Sequence, residues 1–104
     1  MRIQESDGEL VDIYAVYIID GDAMCLGLPK NYGGLRSYKM KNVTVIDPAL
    51  SGDFIYFHNN GYGIYHLALI KERLLDDLLE LDETAYQRFL EILKAEGRIE
   101  ADFY

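Results

Sequence analysis

The chain is predicted to adopt an α+β fold, an antiparallel sheet of about five strands followed by a C-terminal αα-hairpin packed on one face. Three observations lead there. The first two thirds are rich in β-branched and aromatic residues, two turn signals (Asp20-Gly21-Asp22 and Asn60-Gly61) divide that stretch into hairpins, and beyond residue 70 the apolar period changes from two to 3.6. At 104 residues this is one domain, 1–104, long enough to bury a core without metal or disulfide.

Residues 9–20 (ELVDIYAVYIID) form the first strand, with apolar residues on both parities, so both of its faces are expected to be covered. Residues 23–28 return as its hairpin partner. The stretch 29–34 (PKNYGG) is a loop, and 43–46 is a short strand stopped by Asp47-Pro48. Residues 54–58 and 63–70 flank Asn60-Gly61. With those two as the turn, Tyr56 lies opposite Tyr65 and Phe54 opposite Leu67, and His58 and His66 fall on opposite faces.

Leu74, Leu75, Leu78 and Leu79 make one helical stripe, and Tyr86, Phe89, Leu90 and Leu93 make another. Asp82 suits the N-cap of the second helix and Gly97 its terminator. The tail 98–104 alternates weakly, as an edge strand or a packed end. In the first helix, Lys71 and Arg73 are expected in the opening turn with Asp76, Asp77 and Glu80 after them, so that its charges oppose the macrodipole.

Eighteen Asp and Glu against ten Lys and Arg give a formal charge of -8. Nucleic acid and anionic membrane are therefore disfavoured as direct partners. The charge is uneven: six acids and one base lie in 1–22, ten acids and five bases in 71–104, and Lys30, Arg36, Lys39 and Lys41 form a basic middle without an acid. A single Cys25 and an acidic 1–12 segment, the reverse of a secretory signal, point to the cytoplasm.

Catalytic chemistry has few candidates. His58 and His66, an acid–base or metal pair in principle, face apart in the expected register and lack a third ligand. Cys25 sits in an apolar strand with no cation to lower its pKa. Residues 27–34 (GLPKNYGG) lack the GxxxxGK[ST] spacing of a phosphate loop. The expectation is no catalytic residue, no metal and no cofactor.

What stands out instead is acid and tyrosine. Asp76, Asp77, Glu80, Asp82 and Glu83 fall within eight residues, Asp20 and Asp22 sit at the first hairpin tip, and nine residues are Tyr, of which Tyr14, Tyr17 and Tyr32 are candidates for exposure. Carboxylates that attract a basic partner, with tyrosines as rigid anchors, form a docking surface. The partner-binding set is thus Asp76, Asp77, Glu80, Asp82, Glu83, Asp20, Asp22 and Tyr32.

In size, acidity, strand-then-helix order and lack of catalytic residues, the chain resembles the small immunity proteins of bacterial toxin systems, including those of contact-dependent growth inhibition. That resemblance implies a cytoplasmic inhibitor that binds one cognate basic toxin, typically a nuclease, and blocks its active site. Two other readings are kept: a homo-oligomeric interaction domain, for example a homodimer through the aromatic hairpin face, and a small-ligand or RNA-processing enzyme using His58 and His66.

Overall fold

The computed structural model describes residues 1–58 and 60–104. The fold is α+β. Seven antiparallel strands, β1 (Arg2–Gln4), β2 (Leu10–Ile19), β3 (Asp22–Leu28), β4 (Arg36–Lys39), β5 (Thr44–Asp47), β6 (Phe54–His58) and β7 (Tyr62–His66), precede helices α1 (Leu67–Lys71), α2 (Leu75–Leu79) and α3 (Glu83–Ala95). A 3₁₀ turn, Met40–Asn42, links β4 to β5.

The long β2 organises the sheet. One edge of it pairs with β3 along its length. The other edge pairs first with β1 (Gln4 opposite Leu10, Arg2 opposite Asp12) and then with β7 (Ala15 opposite Tyr65, Ile18 opposite Tyr62). The change of partner coincides with a bulge. On β3, Gly27 faces Ile13 and Leu26 faces Ala15, which leaves Tyr14 as the extra residue. A bulge flips the alternation of side chains, so Val11 and Ile13 point to one face while Tyr14 and Ala15 join the core on the other. This explains the apolar residues of both parities in residues 9–20.

The strand order β4-β3-β2-β1-β5 puts β4 and β5 at opposite ends, yet only residues 40–43 join them. Four flat interstrand steps would separate them by about 19 Å. A link containing a 3₁₀ turn, which advances about 2 Å per residue, falls short of that. The sheet therefore curls, and its inner face closes on a small core of Ile3, Val11, Ile13, Cys25 and Tyr38, with Met40 and Val43 of the linker packed against it. Burial there pushes the Cys25 thiol up to about 11, an inert structural thiol.

The larger core lies between the other face and the helices: Tyr14, Leu26, Leu28, Leu35 and Tyr65 meet Leu69, Leu74, Leu78, Tyr86, Phe89, Leu90 and Leu93. Asp82 caps α3 by accepting from the Ala85 N–H at 2.8 Å. Gly97, at φ +71°, ends it, with the Arg98 N–H donating to the Leu93 carbonyl. Among the described residues no helix is long and apolar enough to cross a membrane.

Several expectations are corrected. Arg36–Lys39 and Arg2–Gln4, absent from the expected strands, are strands β4 and β1. The last hairpin has a different register: His58 faces Tyr62, Tyr56 faces Ile64 rather than Tyr65, and Phe54 faces His66 rather than Leu67. Its second strand stops at His66, not at residue 70. His66 accepts from the Ala68 N–H through Nδ1 at 3.1 Å and so turns the chain into α1. Lys71 then lies in the last turn of α1, Arg73 adopts φ +55° between helices, and Asp76 and Asp77 open α2. Lys71, Asp76 and Asp77 thus complement the helix dipoles, and only Glu80, at the C-cap of α2, still opposes one. The tail 98–104 is a packed end, with Ile99 and Phe103 against the main core.

Candidate functional site

The corner between α2 and α3 is built on Leu78, which is fully buried, while the residues around it turn outward. Within that corner the Glu80 N–H donates to the Asp76 and Asp77 carbonyls and the Asp82 N–H donates to the Asp77 carbonyl, so the acids share one tight turn. Asp76, Asp77, Glu80, Asp82 and Glu83 are all exposed. None of them forms an ion pair among the described residues.

Two cations of this half of the chain, Arg88 and Arg98, are engaged with other groups, and Arg73 lines a hollow with Asp76 without pairing to it. Arg88 grips Glu72 with two nitrogens (2.8 and 3.0 Å) and also holds Glu91, while Arg98 reaches Ser51 at 2.7 Å and lies 3.5 Å from Glu96. The bidentate contact holds the Glu72 carboxyl below its ordinary range. The paired acids thus sit along α3 and below it, and five of the acids without an ion pair among the described residues collect at the α2–α3 corner.

Aromatic and aliphatic side chains border this corner. The loop 29–35 is fastened to it by the Leu35 N–H, which donates to the Leu78 carbonyl at 3.1 Å. Gly34 permits the approach, since a Cβ there would come within 2.2 Å of that same carbonyl oxygen. The same loop carries Tyr32, 40% exposed, and its Gly34 lies against Leu81, which is exposed together with Leu79. From the other side Tyr104 packs edge-on against Tyr86 and donates its hydroxyl to Glu83 at 2.9 Å. Hydrogen bonds from Gln87 and Tyr104 hold the Glu83 carboxyl below the usual carboxylate range, so it is charged at neutral pH. Arg36 lies over the Tyr32 ring, 5.9 Å from its centroid, and orients it.

Asp20 and Asp22 are exposed too, but they belong to a separate surface. Asp20-Gly21 is the two-residue turn of the β2–β3 hairpin, both residues at positive φ, and Asp22 lines a small hollow with Lys39 and Lys41. Two lysines share that hollow with Asp22, as Arg73 shares one with Asp76, and among the described residues neither group of acids forms an ion pair. Of the tyrosines expected at the surface, Tyr14 is buried between His66 and Phe89, and Tyr17 is half-buried and stacked on Tyr65. Tyr32 alone of the three is exposed. Sequence reasoning missed Leu79, Leu81 and Tyr104 as members of the surface. Leu79 had been assigned to the helix stripe, and a five-residue α2 is too short to bury both edges of that stripe.

The corrected register places His58 and His66 on one face of the hairpin, but four residues apart along it, roughly 13 Å. His58 is exposed. His66 is buried under α3, and both its nitrogens are used: Nδ1 accepts from the Ala68 N–H, so Nε2 carries the proton and donates to Glu96 at 2.9 Å. The two imidazoles do not meet. Two adjoining clefts of about 410 and 470 Å³ share Arg2, Asp12 and Arg98, where Arg2 pairs with Asp12 at 2.9 Å and Arg98 is bonded to Ser51.

Comparison with protein-family models, with curated proteins and with solved structures finds no match to this chain.

Proposed function

We propose that this chain is a toxin-neutralising immunity protein, which captures a basic protein toxin of the nuclease type on its α2–α3 corner and blocks the toxin's active site. The observation that carries the reading is the segregation of charge. Among the described residues five exposed carboxylates collect on one corner without an ion pair, while neighbouring acids are paired with Arg88 and Arg98. A nuclease groove is shaped to attract phosphate, and clustered carboxylates present the same charge to it. Steering of that kind raises association rates, to about 10⁸ M⁻¹s⁻¹ at low salt. Tyr32 and Tyr104, with Leu79 and Leu81, supply the desolvated centre that charge alone does not. The corner is preferred to the Asp20/Asp22 tip because it gathers five exposed carboxylates and the exposed Tyr32, Tyr104, Leu79 and Leu81, where the tip has two carboxylates beside Lys39 and Lys41.

The test begins with the protein encoded beside this chain in its own genome. Its C-terminal domain is expected to be basic and toxic when produced alone, and harmless when co-produced with this chain. Asp76→Lys/Asp77→Lys should then abolish protection and weaken binding by at least about 100-fold, in line with loss of close interfacial charge pairs. Asp20→Lys/Asp22→Lys should leave binding within about threefold, as changes outside an interface do. Unchanged binding by the α2 variant would show that the corner is the wrong face.

A further inference from the structure

We infer that the β1–β2 turn is a binding site for a hard divalent cation, calcium by its chemistry, formed by Glu5, Asp7 and Glu9 with the Tyr38 hydroxyl behind them. The three carboxylates can each place an oxygen within 4.8 Å of the others, and none of them has an ion-pair partner among the described residues. They alternate along Glu5-Ser6-Asp7-Gly8-Glu9, with Gly8 at φ +92° making the sharp bend. Oxygen ligands at alternate positions around a glycine bend are the arrangement by which loops hold calcium. Without histidine or thiol, the set suits neither zinc nor copper.

The second, independent observation is Tyr38. It is 92% buried (8% exposed), and its hydroxyl is enclosed without any hydrogen-bond partner. An unpartnered buried hydroxyl is costly and calls for a missing partner. Its direction follows from register. Tyr38 stands opposite Cys25 on β3, and its ring lies across Gly27, with Cε2 3.0 Å from the place a Cβ would occupy there and Val11 Cγ1 2.5 Å from the same point. The ring therefore runs from β4 across β3 toward β2 and the end of the sheet where the turn 5–9 lies. Glu5, Ser6 and Tyr38 line one cleft of about 390 Å³ together with Arg36 and Lys39, which make no ion pair with the cluster among the described residues. Burial raises the Tyr38 phenol well above its ordinary range, and the Glu5 carboxylate is the strongest charge acting on it. The hydroxyl thus stays protonated, able to donate to a carboxylate or to a water on the ion. A cation there would tie the β1–β2 turn to β4 and brace the curl of the sheet.

Calcium titration by calorimetry on the intact chain tests this, together with terbium luminescence excited through tyrosine, which the absence of Trp makes clean. The expected result is one saturable site of about 10⁻⁴ M, the range of exposed carboxylate sites. Terbium emission should be reversed by calcium. Asp7→Asn/Glu9→Gln should weaken calcium at least about tenfold, while Asp76→Asn/Asp77→Asn should not. Tyr38→Phe should dim terbium emission, and Tyr56→Phe, at a distant exposed tyrosine, should not. Calcium should also raise the melting temperature of the native chain and not that of Asp7→Asn/Glu9→Gln, whose melting in chelator checks that it is folded. The inference is overturned by no saturable heat, by undiminished affinity in Asp7→Asn/Glu9→Gln, by a loss confined to the α2 variant, or by equal dimming in both tyrosine variants.

Discussion

His66 shows how one side chain sets the course of the backbone. Its Nδ1 caps α1 and its Nε2–H holds Glu96 at the end of α3, while the ring is enclosed by Tyr14, Phe54 and Phe89. Removing it costs a cap, a buried hydrogen bond and packing. His66→Ala should therefore destabilise the fold by about 3–4 kcal/mol in urea unfolding. His66→Asn, whose short amide oxygen can still accept the Ala68 N–H, should recover about 1 kcal/mol of that. Equal losses in the two variants would show that capping is not its role. The buried tyrosines make a second residue-scale case. Burial raises the phenols of Tyr14, Tyr38 and Tyr86, that of Tyr86 to about 12. In the unfolded chain the phenol titrates near 10. With the folded value above the unfolded one, the native state keeps its protons longer. The stabilisation is fully present below pH ~10 and is lost as pH rises from there, at about 1.4 kcal/mol per pH unit for each tyrosine. Tyrosinate absorbance from these three should appear in one cooperative step with unfolding. Because the Tyr86 hydroxyl is buried without a partner, Tyr86→Phe should be neutral or gain about 1 kcal/mol at pH 7 and soften the alkaline limb. A loss of stability in that variant would mean the hydroxyl has a partner in solution. The burial of Tyr86 is legible from its helical stripe with Phe89, Leu90 and Leu93, whereas that of Tyr14 and Tyr38 is not, because a strand tyrosine has the same pattern whether its ring is core or surface. The role of His66 was half legible: a histidine in an apolar strand needs a hydrogen-bond partner, but Glu96, thirty positions later, is visible only once the helices are folded back.

At the scale of elements, legibility followed length. The ten-residue β2 and thirteen-residue α3 were plain from period and caps, with Asp82 and Gly97 at the expected ends. The three-residue β1 and four-residue β4 carry too few positions to show a period at all. The segment Leu67–Lys71 continues the hairpin's alternation and is equally good as helix. What decides it is the cap on His66 and the Leu67 N–H, which donates to the Asp53 carbonyl at 2.8 Å. That misplaced start also displaced the charges of α2, and with them the apparent conflict with its dipole. The acidic corner survives as a site because of where its residues end up, not because a local rule is broken. Its supports can be separated by mutation. Asp82→Ala removes the α3 cap and should cost about 1 kcal/mol. Gly34→Ala drives a methyl against the Leu78 carbonyl and should lift loop 29–35 from the corner. Amide exchange at Leu35, protected in the native chain by its bond to Leu78, should then rise by about tenfold or more while α3 exchange stays unchanged. Loss of protection throughout α3 would show that the loop belongs to the core rather than to the docking surface.

The whole molecule carries -8 within principal extents of 34 × 31 × 24 Å, so a carboxylate at the corner feels like charges at distances comparable to the screening length. That length is about 30 Å at 0.01 M salt and 3 Å at 1 M. Raising salt across this range should relieve self-repulsion and stabilise the free chain by on the order of 1 kcal/mol, which is about 4–8 °C in melting temperature for a domain this size. The same salt should weaken capture of a basic toxin, since the attraction at the corner is screened by the same ions. Stability and affinity are thus expected to move in opposite directions, and Asp76→Asn/Asp77→Asn should flatten both slopes while Asp20→Asn/Asp22→Asn flattens only the first. A homodimer formed through the exposed hairpin aromatics Tyr56 and Tyr62 would behave otherwise. Two copies of -8 repel, so salt would strengthen their association, and light scattering would show mass rising with ionic strength. A chain that stays monomeric at every salt concentration while its hold on a basic partner falls supports an inhibitor waiting for its target; a mass that doubles in high salt assigns the aromatic face to self-association and removes the need for a toxin.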